Sequence, residues 1–482
     1  MFFNSIDFAA FLPIVFFLYW FVTKENIKIQ NIFIVVSSYV FYGWWDWRFL
    51  FLIVFSTFTD YVVGVFLSKT ENQRKRKIFL WTSIIVNISL LGFFKYYNFF
   101  VDNFVAAFSF FGIRPNTRHL NIILPVGISF YTFQTMSYSI DVYKRKLAAT
   151  KDFIAFAAFV SFFPQLVAGP IERAINLLPQ FHTKRQFRYD NAVDGCRQML
   201  WGFFKKMVVA DNCALYVNDV FTNYDYNNYP GCTLFLAAIF FTFQIYCDFS
   251  GYSDIAIGIS KLFGFKLMKN FAFPYFSRDM AEFWRRWHIS LTTWFRDYIY
   301  FPLGGSKSSI LITIRNTFII FLVSGFWHGA NWTFIVWGFL NALYFLPLVL
   351  WKKNRINMEI VAKEAALPSM KDFISMCVTF FLTVFAFIFF RAENVGEAFA
   401  YISRMFSNPN FAMPEGVGEI AFGSIVLSIS ILIIVEWINR REEYGFKKQS
   451  KHKMVRWSIY IIITMMILEL AGQQQDFIYF QF

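Results

Sequence analysis

The chain has little charge and few cysteines for its length. Only 16% of its 482 residues are Asp, Glu, Lys or Arg, whereas a soluble domain carries about 25%. Its five cysteines form no Cys-x-x-Cys pair, which argues against zinc and dithiol motifs and favours structural thiols. The sequence also lacks a Walker loop, a His-Glu-x-x-His motif and a Gly-x-Ser-x-Gly elbow, so ATP-driven transport and zinc hydrolysis are unsupported. We expect no metal site and no bound cofactor.

Apolar and aromatic residues dominate the composition instead. Hydrophobic residues make up 57% and aromatic residues 22%, and the mean hydropathy is +0.45. Apolar runs of about 17 to 22 residues recur along the chain, and each is long enough to cross the hydrocarbon core of a bilayer as a helix. The sequence predicts an all-α polytopic membrane protein with a single domain over residues 1–482. The first run lacks a basic n-region, so we interpret it as a retained span.

The net charge of +14 comes from short basic clusters between the apolar runs. This arrangement follows the positive-inside rule and gives no reason to expect a nucleic-acid partner. When all clusters are assigned to the cytosol, about 11 to 12 crossings of the inner membrane result, and both termini lie on the outer side. The clusters span residues 24–28, 69–77, 144–151, 352–355 and 440–453.

Two stretches do not fit simple crossings. Residues 153–170 are apolar but are interrupted by Pro164, Gly169 and Pro170, which predicts a re-entrant or broken helix. Residues 266–296 are too charged and aromatic to span, so we expect helices at the cytosolic interface with tryptophans at headgroup level. Irregular backbone at membrane depth must be buried in protein or face water, which suggests a central cavity.

His328 is one of only five histidines and lies between two apolar runs. A titratable ring at membrane depth is costly unless it has a function or a partner, and imidazole is well suited to proton transfer near neutral pH. Gly325 and Gly329 flank it and allow close approach of another helix or a substrate. The alternative is a structural histidine bonded to a backbone carbonyl.

His288 is the second candidate. Its neighbours Glu282, Arg285 and Arg286 are spaced for ion pairing along a helix, so a solvated interfacial face is the alternative interpretation. Asp254 could orient a basic group, although a capping or turn role fits equally well. Further polar residues in apolar context are candidates for lining or supporting a tunnel. The complete supporting set is Gln134, Glu172, Asp248, Asp254 and Asn331.

Six motifs, in this order, resemble those of the membrane-bound O-acyltransferase superfamily, with the bacterial alginate O-acetyltransferases as the nearest branch and the teichoic-acid D-alanyl transferases as a sister group. They are Leu124-Pro-Val-Gly-Ile-Ser-Phe-Tyr-Thr-Phe-Gln134, Phe163-Pro-Gln-Leu-Val-Ala-Gly-Pro-Ile-Glu-Arg173, Tyr246-Cys-Asp-Phe-Ser-Gly-Tyr-Ser-Asp254, Phe283-Trp-Arg-Arg-Trp-His-Ile-Ser-Leu291, Tyr300-Phe-Pro-Leu-Gly-Gly305 and Phe326-Trp-His-Gly329. The resemblance covers the whole chain. It implies a helical fold around a central tunnel, with His328 as the catalytic histidine and His288 completing the site from the cytosolic side.

The resemblance also implies a reaction. An acyl thioester in the cytosol, acetyl-CoA or a carrier-bound acyl group, would supply an acetyl group for a polysaccharide outside the membrane. Arg285, Arg286 and Arg296 could meet the donor's phosphates. Tyr479 resembles a terminal tyrosine proposed as an acyl carrier in this branch, from which an extracytoplasmic acetyltransferase would move the group to sugar. The alternative for Tyr479 is an interfacial aromatic anchor.

Two other functions remain open at this stage. One is D-alanyl transfer from a carrier protein to a teichoic-acid-like polymer. The other is a lipid or glycan transporter, against which the two histidines and the lack of paired intramembrane charges argue.

Overall fold

A computed structural model of the chain describes residues 1–23, 26–112, 117, 119–223, 229–306, 309–413, 417–471, 475 and 477–478. Within these residues the regular structure is helical, with no β-strand. They group into two compact units, one comprising Met1–Gly195 with Ile259–Met268 and the other Cys196–Gly258 with Lys269–Phe482. The prediction of a single domain over 1–482 stays a prediction.

The first unit begins with capped apolar helices. The side chains of Asn26, Asn72 and Asp152 accept hydrogen bonds from the first backbone N–H groups of the helices that follow them, which satisfies donors that have no partner inside the helix. The helices are α1 Ile6–Phe17, α2 Ile27–Asp46, α3 Leu50–Lys69, α4 Gln73–Leu91, α5 Tyr97–Phe110, α6 Ile128–Tyr143, α7 Phe153–Ser161, α8 Phe163–Leu166, α9 Ala174–Leu177 and α10 Tyr189–Phe203, the last of which continues into the second unit.

A buried carboxylate ties three helices of this unit together. Asp60 on α3 accepts hydrogen bonds from Ser83 and Asn87 on α4, the latter at 2.8 Å, and from Ser139 on α6 at 2.9 Å. A buried charge is tolerated when hydrogen-bond donors surround it. The apolar pattern alone would not reveal this polar centre.

The stretch 153–170 is a broken helix, as its proline and glycine residues predict. The chain leaves α7 at Phe162, whose φ and ψ of −50° and 105° are not helical, and enters the short α8. The Gln134 side chain donates to the Phe159 carbonyl at 2.7 Å, and that of Gln165 donates to the same carbonyl at 3.0 Å. The Phe159 carbonyl, which lies near the break in the helix, thus has two hydrogen-bond donors.

In the second unit, α15 and α16 pack closely against each other. A methyl group on Gly325 of α15 would lie 2.2 Å from the Phe334 carbonyl oxygen, and one on Gly338 of α16 would lie 2.4 Å from that of Phe321. Both positions therefore require glycine. The helices are α11 Asp211–Asn223, α12 Gly231–Leu262, which ends in the first unit, α13 Met280–Arg286, α14 Ile289–Phe295, α15 Ile310–His328, α16 Trp332–Leu350, α17 Met370–Arg391, α18 Val395–Ser407, α19 Glu419–Ile438 and α20 Lys453–Leu470.

Seven continuous helical stretches among the described residues are long and apolar enough to cross a membrane. Two of these, Ile27–Lys69 and Gln73–Phe110, each contain two α-helices. The shorter apolar helix Ile6–Val22 precedes them. These helices confirm an all-α polytopic membrane protein, while the number of 11 to 12 crossings stays a prediction.

The segment 266–296 forms short helices, as predicted, and its tryptophans are buried. Trp284, Trp287 and Trp294 are 8%, 3% and 3% exposed, so their rings pack inside the protein and do not face lipid; their depth in the membrane stays a prediction. Trp287, for example, stacks on Phe283 with a ring separation of 5.4 Å. Tryptophans close to charged residues in the sequence are typical of a membrane interface. A protein core can also bury the ring while its N–H group finds a hydrogen-bond partner.

Candidate active site

Both candidate histidines line one cavity of about 60 Å³ within the second unit. His288 precedes α14 and His328 ends α15. The indole of Trp327 lies beside both rings, with centroid separations of 6.1 Å to His288 and 4.8 Å to His328. The remaining lining is mostly apolar and consists of Trp284, Trp287, Leu291, Thr292, Phe295, Ile320, Phe321 and Ser324.

His328 is held among aromatic rings. It is 4% exposed and meets Trp337 and Phe390 edge to face at 5.0 and 5.3 Å. Asn331, predicted as a supporting residue, orders the following turn, because its side chain caps α16 and donates to the Glu393 carbonyl at 2.7 Å. Asn331 is not among the residues that line the cavity.

His288 is fixed by Asn270, a residue that the motifs did not single out. Asn270 Oδ1 lies 3.1 Å from His288 Nδ1 and accepts hydrogen bonds from the backbone N–H and hydroxyl of Ser290 at 3.2 and 2.9 Å. Because the backbone N–H can only donate, Oδ1 is the amide oxygen, and Nδ1 of His288 carries the proton. Nε2 is therefore the basic nitrogen of this ring.

The backbone and the surroundings of His288 are also unusual. Its φ of 44° lies in the left-handed region, and its ring packs edge to face on Phe249 at 4.5 Å. Burial lowers the pKa of His288 to about 3, because an imidazolium loses its hydration there. His288 is consequently neutral at physiological pH and can accept a hydrogen bond through Nε2.

Asp254 forms an ion pair with Lys205, and its role in the site stays a prediction. Its carboxylate lies 2.5 Å from Lys205 Nζ and accepts from Gln198 at 2.7 Å. The adjacent Ser253 accepts from Asn270 Nδ2 at 3.1 Å. The C-terminal half of α12 thus supports the residue that orients His288, although Asp254 itself does not line the cavity.

Asp248, one turn earlier on α12 than Tyr252, binds a second lysine. Its Oδ1 lies 2.8 Å from Lys206 Nζ, and its Oδ2 accepts from the Ile478 backbone N–H at 2.7 Å. Both Lys205 and Lys206 escaped the sequence analysis, because Asp254 and Asp248 lie more than about 40 positions further along the chain and no local spacing indicates these pairings. The expected lack of paired intramembrane charges was wrong, since both aspartates lie in the candidate span Gly231–Leu262.

Gln134 and Glu172 lie in the first unit and do not line this cavity. The carboxyl of Glu172 accepts from the Met268 backbone N–H. Burial raises the pKa of Glu172 to about 7. Gln134 completes the helix break described above. The contacts of both residues are structural, and their role in a tunnel stays a prediction.

The three candidate donor-binding arginines differ in their contacts. Arg285 donates to the carbonyls of Asn354 and Asn357 at 2.9 and 2.8 Å, and Arg286 lies 2.7 Å from Glu282. Glu282 is 1% exposed, so this helix face is not solvated. Arg296 pairs with the adjacent Asp297, and half of its side chain is exposed. Of the three, Arg296 is best placed to meet a ligand from solvent.

Tyr479 lies outside the described residues, but the two residues before it are buried. Phe477 and Ile478 are 2% and 1% exposed. The Phe477 ring packs on Tyr252 at 5.0 Å and on Phe249 at 6.0 Å. Phe477 is therefore buried in the protein.

Comparison with known proteins decides the family. Residues 143–391, about half of the chain, match the model of the membrane-bound O-acyltransferase family. The chain belongs to this family. It is a multi-pass membrane protein and an O-acyltransferase. The order and length of the six motifs had indicated this membership.

Similar proteins extend over most of the chain. A probable alginate O-acetylase, AlgI, of Pseudomonas aeruginosa is 36% identical over 456 residues, which cover 94% of this chain and 84% of that protein. A peptidoglycan O-acetyltransferase of Helicobacter pylori is 34% identical and covers 82% of this chain and 78% of its own length. A teichoic acid D-alanyltransferase of Bacillus subtilis is 26% identical and covers 58% of this chain and 72% of its own length.

Among the described residues, no three His, Cys, Asp or Glu side chains are grouped so that they could hold a metal ion.

Proposed function

We propose that this O-acyltransferase takes an acetyl group from acetyl-CoA in the cytosol and passes it across the inner membrane for O-acetylation of an extracytoplasmic polysaccharide. The observation that carries the proposal is the single cavity lined by His288 and His328. The names of the relatives support the acetyl group and the polysaccharide acceptor, since the most similar ones above are O-acetyltransferases.

The reaction needs a base and dry surroundings. As an acceptor hydroxyl oxygen attacks the thioester carbonyl carbon, a histidine nitrogen takes the hydroxyl proton. The carbon–sulfur bond then breaks, and the proton passes to the thiolate sulfur. We assign this role to His328. General-base catalysis is typically worth about 10²- to 10⁴-fold, so positioning in the aromatic cavity must supply the rest.

His288 has a supporting role in this mechanism. Its neutral ring and fixed Nε2 provide a hydrogen-bond acceptor beside the reacting groups. Because Nδ1 is committed to Asn270, His288 cannot rotate without losing a buried hydrogen bond. This makes His288 suited to hold the attacking hydroxyl in place.

We further propose that Tyr479 is the first acceptor. The positive-inside assignment of the basic clusters supports an outer position for the C-terminal segment. A phenol, with an ordinary pKa near 10, is a better leaving group than a sugar hydroxyl. A periplasmic acetyltransferase partner would then move the acetyl group from Tyr479 to the polysaccharide. The donor would enter near residues 266–296, where Arg296 is accessible.

A sidedness experiment tests the direction of transfer. Acetyl-CoA labelled in the acetyl group should give product when it has access to the cytosolic face of sealed vesicles, and none when supplied only outside right-side-out vesicles. Equal product from the two sides would contradict transfer across the membrane.

The relay is tested by Tyr479→Phe, which keeps the aromatic ring and removes only the hydroxyl. We expect the variant to lose polysaccharide O-acetylation in cells and an acetyl ester on Tyr479 to accumulate in the parent protein when the periplasmic partner is deleted. Normal O-acetylation by Tyr479→Phe would refute the relay.

A further inference from the structure

Three charged side chains of the second unit form a buried cluster that the proposed mechanism does not use. Lys206 Nζ lies 2.8 Å from Asp211 Oδ1 and 2.8 Å from Asp248 Oδ1. The three side chains are only 6%, 4% and 4% exposed. None of them lines the cavity with the histidines. A cluster buried at this cost requires an explanation.

The cluster contains two carboxyl groups for one ammonium group. Burial raises the pKa of Asp211 to about 7, against the opposing effect of Lys206. Asp248 has a further partner, because its Oδ2 accepts from the backbone N–H of Ile478 at 2.7 Å. The backbone of Ile478 thus supplies a hydrogen-bond donor to the carboxyl group of Asp248, which shares its lysine with Asp211.

Lys206 and nearby residues of α11 also bind other residues close to the C-terminus. Lys206 Nζ donates to the Gln475 carbonyl at 3.2 Å, and Asn218 Nδ2 lies 3.3 Å from Gln475 Oε1. The side chain of Asn212 donates to the Leu470 carbonyl at 2.7 Å. Leu470 ends α20. Of the three bonds to Gln475 and Ile478, two involve backbone atoms, so they fix the path of the chain there rather than recognise its sequence. The aromatic side chain of Phe477 adds a buried contact on Tyr252.

Phe477 and the candidate catalytic residue His288 both pack against the same side chain, Phe249. Phe249 contacts Phe477 at 6.0 Å and His288 at 4.5 Å. Tyr479 follows Ile478 directly, and consecutive Cα atoms are about 3.8 Å apart. A tether at Ile478 therefore restricts how far the next residue along the chain can move from this side of the site.

We propose that Lys206, Asp211 and Asp248 form an internal peptide-binding site, the tail dock, that holds the chain at Gln475 and Ile478 and so positions Tyr479 for acetyl transfer. The positioning role rests on the proposed function of Tyr479, whereas the binding of Gln475 and Ile478 does not. The three residues are positioning residues in this account and take no part in the bond changes.

Amide hydrogen exchange of the detergent-solubilised full chain tests the binding. Asp248→Ala leaves Lys206 and Asp211 as a balanced pair, so the fold should survive. Ile478→Pro removes the donor without touching the helices. Both should accelerate exchange in residues 475–478 at least tenfold, measured in Ile478→Pro at the remaining amides. Asp194→Ala is the matched control, because it breaks the Asp194–Lys261 pair of the first unit, and it should leave this exchange unchanged.

Slow exchange of the segment in both variants, or unprotected exchange in the parent protein, would overturn the tail dock. A second readout separates the dock from the relay. Asp248→Ala should lower kcat for acetyl transfer at least tenfold with little change in KM for acetyl-CoA, while Tyr479→Phe should keep slow exchange. If Tyr479→Phe remains fully active and Asp248→Ala still releases the segment, then the dock stands as a binding site and the relay fails. In that case the positioning role fails with it.

Discussion

The buried neutral His288 should make the stability of this protein depend on pH. Its pKa is lowered to about 3 in the folded protein and is about 6.5 in an unfolded chain. Below pH 6.5 the unfolded chain therefore binds a proton that the folded protein does not. Stability contributed by the neutral ring is lost as the pH falls from about 6.5 towards 3.

The size of the effect follows from the shift. About 3.5 pH units at 1.36 kcal/mol each give nearly 5 kcal/mol over the whole range. Between pH 7 and pH 5 the loss amounts to about 2 kcal/mol. Glu172 and Asp211 have raised pKa values in the folded protein, and they act in the opposite direction over part of the same interval. A comparison between two chains is therefore required.

His288→Asn is the suitable partner for that comparison. Asparagine does not titrate, and it tolerates the left-handed backbone found at this position. Unfolding free energies of both proteins should be measured in the same detergent between pH 7 and pH 5. The parent protein should lose about 2 kcal/mol more than His288→Asn. Parallel losses in the two proteins would refute the account of His288 as a neutral buried ring.

Three further outcomes follow from the contacts. Gly325→Ala should lower the unfolding free energy by about 1–3 kcal/mol through overpacking. The control Gly423→Ala, whose new methyl group meets nothing within 4 Å, should be neutral or stabilising. Equal effects of the two substitutions in thermal unfolding would contradict this packing. Arg296→Ala should raise KM for acetyl-CoA without changing the thermal midpoint, and an unchanged KM would remove Arg296 from the donor site. Arg285→Ala should lower the thermal midpoint, because two partly buried carbonyls lose their donor. Asn270→Ala should reduce kcat at least tenfold by releasing His288, and unchanged turnover would show that this orientation is dispensable.

The secondary structure followed largely from local patterns in the sequence. Apolar length predicts the long helices, and the prolines and glycines of residues 153–170 predict the break at Phe162. Local patterns do not distinguish a lipid-facing tryptophan from one that packs on protein. Trp284 and Trp287 were consequently expected at the interface, and their rings pack inside the protein.

The site was only partly predictable. The resemblance to the family selected His288 and His328, and the cavity between α14 and α15 brings them together. Asn270 and Lys206 were missed, since each acts through partners distant in sequence. Long-range polar pairs leave no periodic pattern, and a lysine beside a span is otherwise typical of a cytosolic end.

The central claim is that the chain transfers acetyl groups at the cavity lined by His288 and His328. The most direct measurement is the release of free thiol from acetyl-CoA, together with acetyl transfer, by the purified protein in liposomes, compared between the parent chain and His328→Gln. Glutamine keeps a polar side chain of similar size but is no base at neutral pH. The account predicts that His328→Gln lowers turnover by a factor of about 100 or more and leaves the thermal midpoint unchanged. Turnover within about twofold of the parent would contradict it.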